Sequence, residues 1–388
     1  MKDAPERNRI SAEPALGPLQ EAVNPPAAGE ADEPRPPSLE VTPRNVAALA
    51  IFLVISLAAL YVLLPQLTGL EDTWERIRTG RPEWLTLGVL LTGGMFAGYV
   101  AMFRGVFVRA ESCSRIGWRE SYQITMAGLA ASRLFAAGGA GGLVLTAWAL
   151  RRSGMRPREV ADKTLAFLIL TYFPYVVAII VCGFGLHFGL FSGPAPLAFT
   201  LIPAVVASIV LAIGLLIALV PTDLQRRLEG FAHRKGRLGR FAQRAANLPA
   251  ASSAGMRDAL EHVRSGDPAL LGAITFWAFQ IAVLWAGFHA FGQAPPLGVL
   301  VQAFFIGMLG NLLPMPGGVG GVEGGMIAAL VAFGVNSGLA VVAVLVYRAF
   351  TFWLPLVPGL IAYFQLRKTI DLWGAERRAE RTRQAATA

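Results

Sequence analysis

The sequence predicts an all-α polytopic membrane protein with six full spans, two glycine-broken helical hairpins and an inverted-topology repeat. Of its 388 residues, 54% are apolar and 15% are charged, whereas soluble proteins carry about 25% charged residues. The apolar residues gather in runs of about twenty, the length that an α-helix needs to cross a bilayer core. Two glycine clusters, at 138–142 and 317–325, interrupt such runs. Broken backbone at membrane depth survives only where protein or water satisfies its polar groups, as in transporters built from repeats.

The chain begins with a segment, 1–44, that we expect to be a disordered cytoplasmic tail. It holds nine Pro, eight acidic and five basic residues, and too few large apolar residues to build a core. A membrane transport domain is expected over 45–366, followed by a basic cytoplasmic tail over 367–388. Six apolar runs are predicted to be full spans: Val46–Leu64, Trp84–Phe103, Thr164–Phe188, Leu197–Val220, Ala269–Phe291 and Leu339–Phe364.

Two further apolar runs, 121–150 and 298–334, contain the glycine clusters near their middles. Basic loops flank the first run and connections without Lys or Arg flank the second, so the positive-inside rule places their ends on opposite sides of the membrane. Each run is predicted to be a helix–glycine turn–helix hairpin, with arms that are either re-entrant half-helices or short spans. The halves 45–190 and 197–366 then have inverted topologies, which favours a substrate site between them. The alternative is that the glycines only allow close helix packing.

A basic linker, 222–268, carries nine Lys and Arg residues within the second half. Its first apolar residues recur at helical spacing, which is compatible with an interfacial helix on anionic lipid or with a solvated linker. Basic loops on one side of the membrane explain the net charge of +9 and the pI of about 10.1. We therefore expect both termini in the cytoplasm, an anionic lipid surface as a partner and no nucleic acid.

Several classes of chemistry are disfavoured by what the sequence contains. Cys113 and Cys182 do not form a disulfide framework or a zinc spacing. Neither HExxH nor the P-loop pattern GxxxxGK[ST] occurs, so no metal, no cofactor and no ATP hydrolysis is expected. A membrane enzyme acting on a lipid phosphate usually needs several acids or His with Asp, but the spans offer scarcely one acid, Glu323. We therefore expect that the protein is not an enzyme.

Three ionisable residues stand out within predicted membrane segments, where each charge is costly and is a candidate for function. Arg133 precedes the first glycine cluster, Glu323 lies in the second, and Arg348 lies in the last predicted span. A glycine turn that opens a helix exposes backbone N–H groups, which attract anions, and two nearby arginines would bind a phosphate through paired hydrogen bonds.

Two of these candidates have alternative roles. Glu323 is compatible with a helix cap, with an ion pair to Arg348 or Arg133, or with direct substrate or proton handling. Asn311 either satisfies freed backbone groups or touches the substrate. The predicted substrate-binding residues are Arg133, Gly138, Gly139, Gly141, Gly142, Asn311, Gly317, Gly318, Gly320, Gly321, Glu323 and Arg348.

The stretch Asn311–Glu323, with its P-G-G-x-G-x-x-E core, resembles a signature of the lysylphosphatidylglycerol synthase transmembrane-region family, also called the flippase-like domain family. Tyr347–Pro355 follows at the expected distance, and the first hairpin followed by Arg151–Gly154 is similar to the family's other half. In full synthases of that family, the membrane domain moves aminoacylated phosphatidylglycerol between leaflets and a soluble domain makes it. Because this chain ends at residue 388, we expect a resemblance to stand-alone members, which transport without synthesis.

The resemblance implies a lipid flippase or scramblase in a bacterial cytoplasmic (inner) membrane. Its substrate would be an anionic or aminoacylated phospholipid, or a polyprenyl- or hopanoid-type lipid, with a phosphate-containing headgroup. The alternative is a non-transporting membrane scaffold for a lipid- or glycan-modifying enzyme. A homo-oligomer and a lipid-synthesis enzyme as partner are both compatible with the sequence.

Overall fold

A computed structural model describes residues 80–108, 115–134, 140–219, 259–312 and 318–387. Within these residues the regular structure is helical and no strand occurs, which confirms the all-α class. The described residues also include a 3-10 turn, Leu309–Leu312, and a π-helical segment, Ala349–Trp353. The helices of the membrane domain are α1 (Pro82–Phe107), α2 (Trp118–Leu134), α3 (Ala140–Arg152), α4 (Pro157–His187), α5 (Leu201–Leu219), α6 (Pro268–Phe291), α7 (Leu297–Met308), α8 (Gly321–Ala332), α9 (Ser337–Arg348) and α10 (Leu356–Thr387).

Four helical stretches of the described chain are long and apolar enough to cross a membrane. They are α1, α4, α6 and the continuous stretch Ser337–Glu376, which includes α9 and the first part of α10. Each coincides with one of the predicted spans, so the protein is a multi-pass membrane protein. The segments 1–44, Val46–Leu64 and 222–258 lie outside the described residues.

The predicted span Leu197–Val220 is shorter in the structure than the sequence suggests. Its helix, α5, begins at Leu201 because residues 197–200 form a turn. The amides of Phe199 and Thr200 both donate to the carbonyl of Pro196, at 3.0 and 3.1 Å. An uninterrupted apolar run therefore contains a turn followed by a helix.

Each glycine-split run forms two helices that pack against each other, α2 with α3 and α7 with α8. In the second pair, Gly310 approaches the backbone of Gly321, and Gly307 approaches that of Met326. These contacts run in opposite chain directions, as in an antiparallel hairpin. The turns themselves, 135–139 and 313–317, lie outside the described residues.

Close packing at glycine, the alternative raised above, also occurs in the structure. A Cβ on Gly142 would collide with the Ser132 side chain and the Gly128 backbone. The glycines of the first hairpin therefore bring α2 and α3 into backbone contact. This packing coexists with the lining of a cavity by Gly128 and Gly142.

The most extensive contact between described helices joins α1 to α6, the second predicted spans of the two halves. Their backbones touch at glycine, because a Cβ on Gly272 would lie 2.6 Å from the Met102 nitrogen and 2.8 Å from the Gly98 carbonyl oxygen. Two further helix contacts join equivalent elements of the two predicted halves. The first hairpin helix of each half, α2 or α7, packs against the last span of the other half, α10 or α4.

Candidate anion-binding cavity

A cavity of about 500 Å³ lies where both hairpins meet α1, α4, α6 and α9. Its wall is mainly aromatic and hydroxyl-bearing. Among the described residues that line it, Arg133 and Arg348 are the only charged ones. The aromatic lining residues are Tyr99, Phe103, Phe107, Phe167, Tyr172, Phe276, Trp277, Tyr347 and Phe352.

Arg348 is held in the cavity wall by a buried ion pair. Its Nε donates to Oε1 of Glu323 at 2.7 Å, and the two side chains are 8% and 12% exposed. The other carboxylate oxygen of Glu323 accepts from the backbone N–H of Gly320, also at 2.7 Å. Because Glu323 is the third residue of α8, the same carboxylate caps the helix and pairs with the arginine.

The backbone around Gly320 requires glycine. Gly318 and Gly320 have φ values of +66° and +87°, in a region that residues with a Cβ rarely occupy. With this backbone conformation, Glu323 lies in the first turn of α8 and its carboxylate reaches Arg348 of α9. The glycine signature therefore places the ion pair as well as opening the helix.

Arg133, at the end of α2, binds the π-helical segment that follows α9. Its Nη1 and Nη2 donate to the carbonyl oxygens of Phe352 and Thr351, each at 2.7 Å. A regular helix would satisfy the Thr351 carbonyl with the N–H of residue 355, but Pro355 has no N–H. The proline thus leaves an acceptor for which Arg133 supplies the donor.

The two arginines share one aromatic ring. The guanidinium carbon of Arg348 lies 4.4 Å from the centroid of the Phe352 ring, and that of Arg133 lies 4.9 Å from it. Both cations are therefore attracted to the ring, and Glu323 is paired with one of them, Arg348. These three charged groups sum to one net positive charge beside the cavity.

Glutamines in the apolar runs join neighbouring segments of the bundle. Gln280 in α6 accepts from the Tyr347 hydroxyl of α9 at 2.7 Å. Gln302 donates to the Phe199 carbonyl at 2.9 Å, and Gln123 accepts from Thr369 of α10 at 3.0 Å. Of these glutamines, Gln280 also lines the cavity.

The cavity lining reaches the protein surface at Leu143 of α3 and Tyr172 of α4, which we call its apolar mouth, and also at the exposed Asn311. Two of its lining residues are among the most outward-facing apolar side chains of these helices, Leu143 at 39% and Tyr172 at 53% exposure. An opening lined by such residues faces hydrocarbon rather than water. We call the part lined by the two arginines the polar end of the cavity, where Arg348 is only 7% exposed.

The structure brings most of the predicted site residues together. Arg133, Gly142, Asn311, Gly318 and Arg348 line the cavity, and Glu323 is joined to it through Arg348. Gly320 donates to Glu323, Gly321 packs against Gly310, and Gly141 lies in the first turn of α3. The predicted residues Gly138, Gly139 and Gly317 lie outside the described residues.

Asn311 contributes a weak contact within its own turn. Its Nδ2 lies 3.5 Å from the sulfur of Met308, and its Oδ1 abuts Gly318 across the hairpin. The predicted role of Asn311 in binding substrate stays a prediction.

Sequence reasoning missed the aromatic half of the cavity. Tyr99, Trp277 and Thr171 lie on three different helices, and Trp277 Nε1 donates to the Thr171 carbonyl at 2.6 Å. In sequence, such residues at helical spacing look the same as ordinary core positions. Only the tertiary arrangement shows that they face a cavity.

Comparison with known proteins places the whole membrane domain in one group. Residues 45–359 match the sequence model of a family described as "Lysylphosphatidylglycerol synthase TM region". A UPF0104 membrane protein of Methanothermobacter thermautotrophicus is 24% identical over 331 residues, which cover 81% of this chain and 94% of that protein. The matched region contains both hairpins, both arginines and the glycine signature.

Proposed function

Because the chain belongs to the lysylphosphatidylglycerol synthase transmembrane-region family, we propose that it moves a lipid with a phosphate-containing headgroup between membrane leaflets. The observation that carries this proposal is the convergence of Arg133 and Arg348 on a cavity with no other charged lining residue in the described chain. A buried Arg348 and a half-buried Arg133 with one carboxylate are costly in a membrane. A phosphate headgroup would offset that cost, and guanidinium groups bind phosphate with paired hydrogen bonds.

The mouth between α3 and α4 supports lateral entry of the lipid. A headgroup would pass Leu143 and Tyr172 into the cavity, while its acyl chains stay in the hydrocarbon outside. The walls of aromatic and threonine side chains provide weak polar contacts that let a headgroup leave again. Such a path removes the need to carry the acyl chains through protein.

The proposed transport cycle uses the inverted repeat expected from the charge pattern. The mirrored contacts of α2 with α10 and of α7 with α4 support related halves that move against each other. The distribution of Lys and Arg supports an orientation with both termini in the cytoplasm, and the bacterial cytoplasmic membrane is proposed from the family resemblance. In this proposal the hairpins alternate in exposing the cavity to one leaflet and then the other.

The proposed activity leaves the lipid chemically unchanged. The described lining residues supply guanidinium, hydroxyl, amide and aromatic groups, whereas phosphate-ester chemistry uses acid–base pairs or metals. We therefore propose a transporter rather than an enzyme.

The experiment is leaflet exchange in proteoliposomes that contain the purified chain. Fluorescent phosphatidylglycerol, lysyl-phosphatidylglycerol and phosphatidylethanolamine are scored by quenching from outside, with and without an ion gradient. Wild type is compared with Arg133→Gln and Arg348→Gln, and with Arg115→Gln, which breaks a surface pair with Glu380. Folding of each variant is checked by gel filtration.

We expect wild type and Arg115→Gln to speed exchange of at least one lipid. The cavity variants should slow it by about tenfold or more, because a hydrogen bond to a charged group contributes about 1.5–3 kcal/mol. Failure of the folded wild-type protein to exchange any of these lipids, under either condition, would contradict the proposal and favour the scaffold.

A further inference from the structure

We propose, on the basis of the transport function above, that the cavity selects headgroups with net negative charge and rejects those that carry a free amine. The cargo would then be an amphiphile with a phosphodiester, such as phosphatidylglycerol, and not its aminoacylated form. This reverses the charge preference that the name of the family suggests. The reasons are the charge inventory of the cavity, the position of Glu323 and the shape of the mouth.

The charged side chains that line the cavity in the described part of the chain are both positive. Among the described lining residues, both charged side chains are arginine. An ammonium group in this space would therefore face two guanidinium groups, and like charges a few ångströms apart in a membrane interior repel strongly.

Glu323, the acid that is paired with Arg348, already uses both of its carboxylate oxygens in hydrogen bonds. Glu323 uses Oε1 for Arg348 and Oε2 for the Gly320 N–H, each at 2.7 Å. Recruiting this carboxylate to bind an amine would break both bonds and leave Arg348 without its carboxylate. An anionic headgroup requires no such exchange, because it binds the cationic side of the existing pair.

The aromatic walls do not reverse this preference. Rings can hold an ammonium group over their faces, and the cavity has several. The ring nearest the polar end, Phe352, already has the guanidinium groups of Arg133 and Arg348 within 4.9 and 4.4 Å of its centroid. A third cation at that end would be attracted to the ring but repelled by both arginines.

The mouth indicates an amphiphile rather than a free anion. Leu143 and Tyr172 line both the cavity and the outer surface of the helices. An inorganic phosphate ion that entered between these two residues would have to lose its hydration shell, which is costly. A lipid crosses it with its chains in hydrocarbon and only its headgroup inside.

Competition binding in detergent tests this selectivity without requiring transport. Fluorescent phosphatidylglycerol is bound to the full-length purified chain and displaced by unlabelled phosphatidylglycerol, lysyl-phosphatidylglycerol or inorganic phosphate. We expect the lysyl form to compete at least about tenfold more weakly than phosphatidylglycerol, given the strength of charge repulsion in a low dielectric. Inorganic phosphate should compete more weakly still.

A variant that adds a negative charge to the cavity tests whether binding of the lysyl form can be gained. Gln280→Glu keeps the side-chain shape and the acceptor for the Tyr347 hydroxyl, but adds one negative charge to the cavity wall. It should lower binding of phosphatidylglycerol and raise that of the lysyl form. Gln365→Glu is the matched control, because it adds the same charge at an exposed position of α10 and should change neither.

Equal or stronger competition by the lysyl form in wild type would overturn the selectivity. So would unchanged preference in a folded Gln280→Glu variant. Competition by inorganic phosphate at the same concentration as the lipid would overturn the lipid as ligand. Each of these results leaves the leaflet-exchange assay intact, so failure of the selectivity and failure of the transport function can be told apart.

Discussion

Replacing Glu323 with glutamine removes the carboxylate opposite Arg348 while keeping the shape of the side chain. The Nε–Oε1 distance is 2.7 Å, and the two side chains are only 8% and 12% exposed. Removing one partner of such a buried pair typically costs about 3–5 kcal/mol, because the other charge is left uncompensated. Glutamine can still accept one hydrogen bond, so we expect a loss near the lower end, about 3 kcal/mol.

A double-mutant cycle isolates the ion pair from other effects of the substitution. Glu323→Gln combined with Arg348→Met removes both charges and should be more stable than Glu323→Gln alone. A coupling energy of about 2 kcal/mol is expected for neighbours in one network. Stability is measured by unfolding the purified protein in mixed detergent micelles and following tryptophan fluorescence.

The surface pair Arg115–Glu380 provides the control for this cycle. Its atoms lie 3.4 Å apart, with side chains 28% and 59% exposed. Glu380→Gln should therefore cost no more than about 1 kcal/mol. A Glu323–Arg348 coupling below about 0.5 kcal/mol, as for an exposed pair, would refute the assignment of a buried pair beside the cavity.

Four further substitutions test the helix contacts and the turns by the same unfolding assay, and the last of them is also tested by leaflet exchange. Gly272→Ala should cost about 1–3 kcal/mol, because its Cβ would meet backbone of α1. Gly93→Ala, with open space around the Cβ, should be neutral or stabilising by up to about 1 kcal/mol; equal effects at both would contradict the close crossing of α1 and α6. Gly320→Ala should cost about 1–2 kcal/mol because of its positive φ, and no loss would argue against this turn. Pro355→Ala should raise the stability of the protein, by at most about 3 kcal/mol. It should also slow lipid exchange between leaflets, because the new N–H of residue 355 competes with Arg133 for the Thr351 carbonyl. Unchanged lipid exchange would show that the Arg133 contact is dispensable.

The sequence is sufficient for the helical membrane class of the protein and indicates the charged residues of the candidate site. Long apolar runs have one low-energy form in a bilayer, the α-helix, so Ala269–Phe291 and its counterparts were readable directly. Arg133, Glu323 and Arg348 stood out because a charge inside an apolar run is rare and costly. In the structure Arg133 and Arg348 line one cavity, and Glu323 is hydrogen-bonded to Arg348.

Features that depend on tertiary contacts could not be read from the pattern. The turn at 197–200 occurs within a run whose hydropathy alone is compatible with a helix. The π-helical segment and the use of the Thr351 carbonyl by Arg133 depend on Pro355 and on a helix 218 residues away in sequence. The aromatic cavity wall was hidden because buried aromatic side chains are common in any helix bundle.

Photo-crosslinking of a lipid headgroup tests most directly whether a headgroup occupies the cavity between the two arginines. Phosphatidylglycerol with a diazirine on its headgroup is irradiated in proteoliposomes, and labelled peptides are identified by mass spectrometry. We expect the headgroup probe to label lining residues such as Leu129 and Thr146, and this labelling should be reduced in Arg133→Gln. A diazirine on the acyl chain should instead label outward-facing residues such as Ile209. Headgroup labelling confined to the outer faces of the helices, and unchanged in Arg133→Gln, would contradict it.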